Sequence, residues 1–198
     1  MAAEADSGVP TSASATVLSV LAERLIAVHT ALDAAGLPHA FGGAIALAYC
    51  TQEPRGTRDL DVNVFVQVDR SDEVLAALPQ GVRVTRAHRD RARRDGQVRL
   101  MWAETPVDVF LDTHDFHREV ARGVRSVPFE TTAIPVLGCE ALVSFKAMYN
   151  RTKDWADIEA VLAAGAVDSR QVLDDLRAFL GPGDPAVIRL SALSGETA

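Results

Sequence analysis

The sequence predicts an α+β fold, a small mixed β-sheet flanked by helices with a C-terminal helical lobe, and three observations predict it. Short apolar runs rich in Val, Leu, Ile and Phe alternate with helical patterns through residues 16–138. From residue 139 a helical periodicity without strand signals takes over and lasts until the break Gly181-Pro-Gly-Asp-Pro185. The 198 residues are 48% hydrophobic, enough to bury a core of that size. The organisation expected is a disordered tail over 1–15, rich in Ala and Ser, a mixed core over 16–138 and a helical lobe over 139–198.

Each element has its own signal. Leu18, Leu21, Leu25, Val28 and Leu32 stripe one face of a helix expected over 17–35, which Gly36 and Pro38 end. Residues 37–41 read as a short strand, Gly42-Gly43 as a tight turn and the Ala-rich stretch 44–50 as a helix. A strand follows over 60–68, then a helix over 71–78 with Ser71 as its cap. Shorter strands are expected over 82–84 and 98–102, and a further one over 106–111. Strands over 124–129 and 134–137 close the sheet, and helices over 139–149, 155–164 and 169–180 form the lobe. The remainder is a short helix or a loose tail, and no internal repeat is present.

Three carboxylates carry the chemistry. Side chains two apart on a strand share a face, so Asp59 and Asp61 point one way while Leu60 points into the core. Two carboxylates on one face repel unless a cation lies between them, and Mg²⁺ takes oxygen ligands from one or two carboxylates plus substrate phosphates. Asp108, on a second strand, completes a set able to hold a metal pair for phosphoryl transfer. An isolated Asp-x-Asp is equally at home, solvated, on a half-exposed sheet. The strand, Gly42-Gly43 turn and helix just upstream favour the functional reading, because glycine admits a ligand close to the backbone and a helix N-terminus favours negative charge.

Taken together, Gly42-Gly43, then Arg55-Gly-Thr57-Arg-Asp59-Leu-Asp61-Val, then Val107-Asp108-Val-Phe resemble the DNA polymerase β-like nucleotidyltransferase superfamily. The segment from Glu140 to Asp157, with Lys146, Arg151, Lys153 and Asp154, resembles the helical signature of its AbiEii-type toxin branch. The resemblance spans about residues 20–165 and implies a nucleotidyltransferase fold. It implies that Asp59, Asp61 and Asp108 are the catalytic carboxylates and ligands of Mg²⁺ or Mn²⁺. It also implies that Gly42, Gly43, Arg55, Thr57, Lys146 and Lys153 bind the nucleotide. The superfamily often has Gly-Ser at the turn, whereas this chain has Gly43 in the serine position, so a hydroxyl contact to phosphate is missing. The activity implied is transfer of NMP from an NTP to a hydroxyl of an RNA, tRNA included, or of a protein, in the manner of a toxin with a cognate antitoxin. Two other readings stand beside it: a noncatalytic nucleotide- or RNA-binding member of the fold, and an aminoglycoside-type small-molecule nucleotidyltransferase.

Charge and composition narrow the partners. The net charge of −7 argues against nonspecific coating of nucleic acid, yet seven arginines crowd between Arg83 and Arg99. They are either a grip for an anionic acceptor or a solvated connector, diluted by Asp90 and Asp95. Arginine supplies 18 of the 20 basic residues, so the only two lysines, Lys146 and Lys153, stand out as point charges suited to phosphate. Lys153 with Asp157, or Asp154 as a helix cap, is the plainer alternative. His88, His114 and His117 with Asp112 and Asp115 match no zinc spacing and read as loop and helix-start residues. Trp102 and Trp155 read as packing residues, and Tyr149 as a base-stacking platform if the lobe faces the cleft. No apolar run approaches the roughly 18 residues that span a bilayer, and Glu4 and Asp6 stand where a signal peptide is positive. Cys50 and Cys139 lie far apart and read as buried thiols of a reducing compartment. A cytoplasmic protein with no membrane partner is expected.

Overall fold

The computed structural model describes residues 12–54 and 56–196. The first helix, α1, runs Ser12–Ala34 and buries Leu21, Leu25, Val28 and Leu32, the expected stripe. It starts earlier than the stripe suggested, and the rest of the expected tail lies outside the described residues. The chain continues with β1 (His39–Phe41), α2 (Gly43–Thr51), β2 (Leu60–Gln67), α3 (Ser71–Ala77), β3 (Val82–Arg83), α4 (Arg86–Asp95), β4 (Gln97–Trp102) and β5 (Thr105–Asp112). Then come α5 (Phe116–Arg122), β6 (Arg125–Phe129), β7 (Thr132–Val136), α6 (Cys139–Tyr149), α7 (Thr152–Ala163), α8 (Ser169–Leu180) and α9 (Pro185–Ser194).

The strands form one mixed seven-stranded sheet among the described residues, in the order β3-β4-β5-β2-β1-β7-β6. Pairing is parallel for β2 with β5 and for β1 with β7, and antiparallel elsewhere. The period of two sorts the side chains: Leu60, Val62 and Val64 of β2, Val107, Val109 and Leu111 of β5, and Val98 and Leu100 of β4 are all buried. The residues between them, Asp61 and Asn63, Asp108 and Phe110, Gln97 and Arg99, line a cleft on the other side. Helices α2, α6 and α7 pack on one another, and α8 and α9 pack on α6, so the C-terminal helices share one continuous buried cluster with the sheet.

Residues 86–95, to which no element was assigned from sequence, are a helix: Thr85 Oγ1 accepts from the His88 backbone N–H at 3.3 Å while His88 Nδ1 accepts from the Thr85 N–H at 3.3 Å. Two local expectations are corrected. Ser71 is the first residue of α3, not its cap, and its buried hydroxyl makes no hydrogen bond. Cys50 and Cys139 are not thiols. They form a disulfide, because α2 packs against α6 and brings their Cα atoms to 5.7 Å despite 89 residues of separation. No helix of the described residues is long and apolar enough to cross a membrane.

Candidate active site

The carboxylates lie in a row set by strand register. Asp61 of β2 is the Cα partner of Asp108 on parallel β5, and Asp108 is the partner of Arg99 on antiparallel β4. Neighbouring strands sit about 4.8 Å apart, so these three side chains emerge side by side on the cleft face. Asp59 stands just before β2, its backbone pinned by Thr57, whose hydroxyl donates to the Asp59 carbonyl and accepts from the Asp59 N–H, both at 3.2 Å. Thr57 therefore acts on the carboxylate loop itself. Arg55 lies outside the described residues.

Arg99 ties the row together. Its Nε donates to Asp108 Oδ1 at 2.8 Å, and its Nη2 donates to Asp108 Oδ2 at 2.6 Å and to Asp59 Oδ2 at 3.3 Å. These bonds raise the guanidinium's proton affinity further above its already high value. Asp61 has no such fork. Burial, then the charges of Asp108 and Asp59, push its carboxyl up to about 6, against smaller opposing pulls from Lys146 and Arg99. With these side-chain positions, no group of three or more His, Cys, Asp or Glu among the described residues is arranged to hold a metal ion. The donor set still fits a hard divalent cation: it is all oxygen, a cationic group already sits between Asp59 and Asp108, and Asp61 is short of positive charge.

Beside the row, against Asp61, lies the N-terminus of α2. Gly42 precedes it with no side-chain cap, leaving the first backbone N–H groups without a side-chain partner. The Gly42 N–H bonds the Asp61 carbonyl at 2.9 Å, which holds the turn against β2. Gly43 has φ +52°, and a Cβ there would lie 1.9 Å from Asp61 Oδ2. The structure thus explains the missing serine: a side chain at this position would occupy the space of the Asp61 carboxylate.

The helical side closes the cleft. Lys146 is buried on α6 and donates to Asp157 Oδ2 at 2.6 Å, with Asp154 Oδ1 at 3.8 Å. Arg151 forks onto the fully buried Asp154 at 2.6 and 3.0 Å and lies over the Tyr149 ring at 5.0 Å. Asp157 is thus held from α6 by Lys146, and Asp154 stands at the third position of α7, not at its cap. Lys153 and Tyr149 line the cleft, which has a volume of about 590 Å³. The structure therefore brings Asp59, Asp61, Asp108, Gly43, Thr57, Lys146 and Lys153 together, with Gly42 behind the turn. Asn63 was not singled out from sequence, Arg99 was read only as one of the seven clustered arginines and Arg151 only as part of the helical signature, although alternation with Val98 and Leu100 marks Arg99 as facing away from the core.

The remaining arginines behave differently from an open anion grip. On α4, Arg86 pairs with Asp90, Arg89 and Arg93 with Asp72, and Arg91 and Arg94 with Asp95; of the seven, Arg91 and Arg99 reach the cleft. The His–Asp group after β5 is structural: Asp112 accepts from Gln67 Nε2 at 2.8 Å and from the His114 N–H at 3.2 Å. Trp155 is buried, donating to Asn150 Oδ1 at 2.7 Å, and Trp102 packs under Arg24.

No protein-family model matches the chain, and no curated protein sequence matches it. Solved structures do. The solution structure of the antibiotic-resistance factor ANT(2'')-Ia superposes with a TM-score of 0.59 at 16% identity, covering 89% of this chain and 96% of that one. ANT(2")-Ia in complex with adenylyl-2"-tobramycin gives 0.56 at 16% identity over 83% and 96%. An antigenic nucleotidyltransferase-like protein from Paracoccidioides brasiliensis gives 0.45 at 17% identity over 92% and 93%. The mixed sheet with its flanking helices is the nucleotidyltransferase fold.

Proposed function

We propose that this chain is a divalent-metal-dependent nucleotidyltransferase that moves NMP from an NTP to an acceptor hydroxyl. The observation that carries the reading is the register row: Asp61 beside Asp108, with Asp59 joined to it through Arg99, and the uncapped start of α2 directly beside Asp61 in the same cleft. Asp59, Asp61 and Asp108 would hold Mg²⁺ or Mn²⁺, which supplies Lewis acidity and charge neutralisation at the transferred phosphoryl group. The α2 amides receive phosphate oxygens, Asp108 orients the attacking hydroxyl and accepts its hydrogen bond, and the Lys146 and Lys153 side adds positive charge as pyrophosphate departs. Tyr149, exposed on the cleft wall, offers a face for the base.

Two observations favour a small hydroxylated acceptor over RNA. Five of the seven arginines that suggested an anionic acceptor, those of α4, are engaged with Asp72, Asp90 and Asp95. In addition, a structure of the same fold holds adenylyl-2"-tobramycin. A macromolecular acceptor, a toxin role and an antitoxin rest on the resemblance of the 140–157 segment alone. Cytoplasmic placement loses the support that free thiols lent it, since disulfides persist mainly in oxidising compartments. The test is incubation of the purified chain with each α-labelled NTP and Mg²⁺, offering RNA, protein extract and an aminoglycoside in parallel. Label is expected on the small molecule, with at least about a thousandfold loss in Asp59→Ala, Asp61→Ala and Asp108→Ala proteins that still fold. Full transfer by any of the three variants would refute the assignment.

A further inference from the structure

Arg99 and a divalent cation compete for the same oxygens. The fork on Asp108 uses both carboxylate oxygens, at 2.8 and 2.6 Å, and the same Nη2 reaches Asp59 Oδ2 at 3.3 Å. A guanidinium cannot shed its proton in a protein, so this positive charge never switches off; it can only move. Mobility is available, since the Arg99 side chain is 57% exposed whereas that of Asp108 is 14% exposed.

The inference rests on the nucleotidyltransferase reading above and deepens it. We propose that Arg99 is the resident counter-cation of the carboxylate row, which a metal must displace and which then binds the phosphates of the incoming nucleotide. Displacement leaves a guanidinium in the same cleft as the α2 amides, with its carboxylate partners taken. Its planar fork matches phosphate oxygens as well as it matches Asp108. Metal and nucleotide therefore bind cooperatively: the metal releases the group that holds phosphate, and the phosphate keeps that group off the metal ligands. Such coupling is reciprocal by linkage. Asp61 is left outside the fork, so it offers a first foothold for the metal without displacing Arg99.

The test is Mn²⁺ titration of the full chain, following free Mn²⁺ by electron paramagnetic resonance, with and without a non-hydrolysable NTP analogue. Arg99→Met should bind Mn²⁺ alone about tenfold more tightly than the wild type, and the analogue, after Mn²⁺ chelated by the analogue itself is subtracted, should raise Mn²⁺ affinity by a larger factor in the wild type than in the variant. Arg99→Lys, with one compact charge that cannot fork, should fall between them. Equal or weaker Mn²⁺ binding by Arg99→Met, with the wild type binding normally, would overturn the role of Arg99 and leave the carboxylate site standing. Failure of both proteins to bind Mn²⁺ would overturn the metal reading and this inference with it.

Discussion

At Asp61, burial and two neighbouring carboxylates oppose ionisation, and the cleft contributes no fork to offset them. The sign follows from the raised value: the unfolded chain ionises this group near 3.8, the folded chain near 6, so above about pH 6 the folded state carries the full cost. Asp61→Asn should therefore raise the metal-free unfolding free energy at about pH 8 by up to about 3 kcal/mol while abolishing transfer. Thermal melts of both proteins in chelator check it, and an unchanged or lower midpoint in the variant would refute the electrostatic account. Gly43 belongs to the same calculation, since the carboxylate lies where its side chain would be. From sequence this glycine was a turn residue open to a ligand, standing where a serine hydroxyl is often found. Its reason is a contact between a turn and a strand that linear order does not display.

Helices α2 and α6 are the elements that frame the cleft, one through its N-terminus and the other through Lys146, and the Cys50–Cys139 bond joins them. Closing an 89-residue separation lowers the entropy of the unfolded chain by an amount worth about 4.6 kcal/mol. Reduction by dithiothreitol, or Cys50→Ser, should lower the melting midpoint by roughly 10 °C or more, and mass spectrometry of the alkylated wild-type protein should count two new thiols only after reduction. Legibility divides along similar lines. Strands β2 and β5 were readable because apolar residues alternate with Asp59, Asp61 and Asp108, and α6 and α8 were found at their bounds from periodicity. Helix α4 was not, because Arg86–Asp95 has only alanines for an apolar face and depends on the Thr85–His88 cap and on the buried Ala92. The cysteine pair was invisible because proximity there is created by helix packing, not by spacing.

Across the whole molecule, acid acts in two directions. His39 and His117 are held below the usual imidazole value, mainly by burial, so between about pH 7 and the lowered values the unfolded chain takes up protons that the folded chain refuses. Stability from these two groups is present above about 6.5 and is lost as pH falls through it, whereas protonation of Asp61 works the other way. In the Asp61→Asn protein only the histidine effect remains of the three, and its midpoint should fall from about pH 7.5 to about pH 5.5. Adding His39→Asn should flatten that slope; a slope unaltered by the second change would assign it elsewhere. The register that aligns Asp61, Asp108 and Arg99 has a corollary for assembly. These residues come from strands separated by up to 47 positions in the chain, and a one-residue slip in either pairing would turn part of the row toward the apolar interior. On the proposed reading, the ion site exists only once β2, β5 and β4 are paired, and a segment ending before β5 carries the Asp59–Asp61 motif without the partners that complete it.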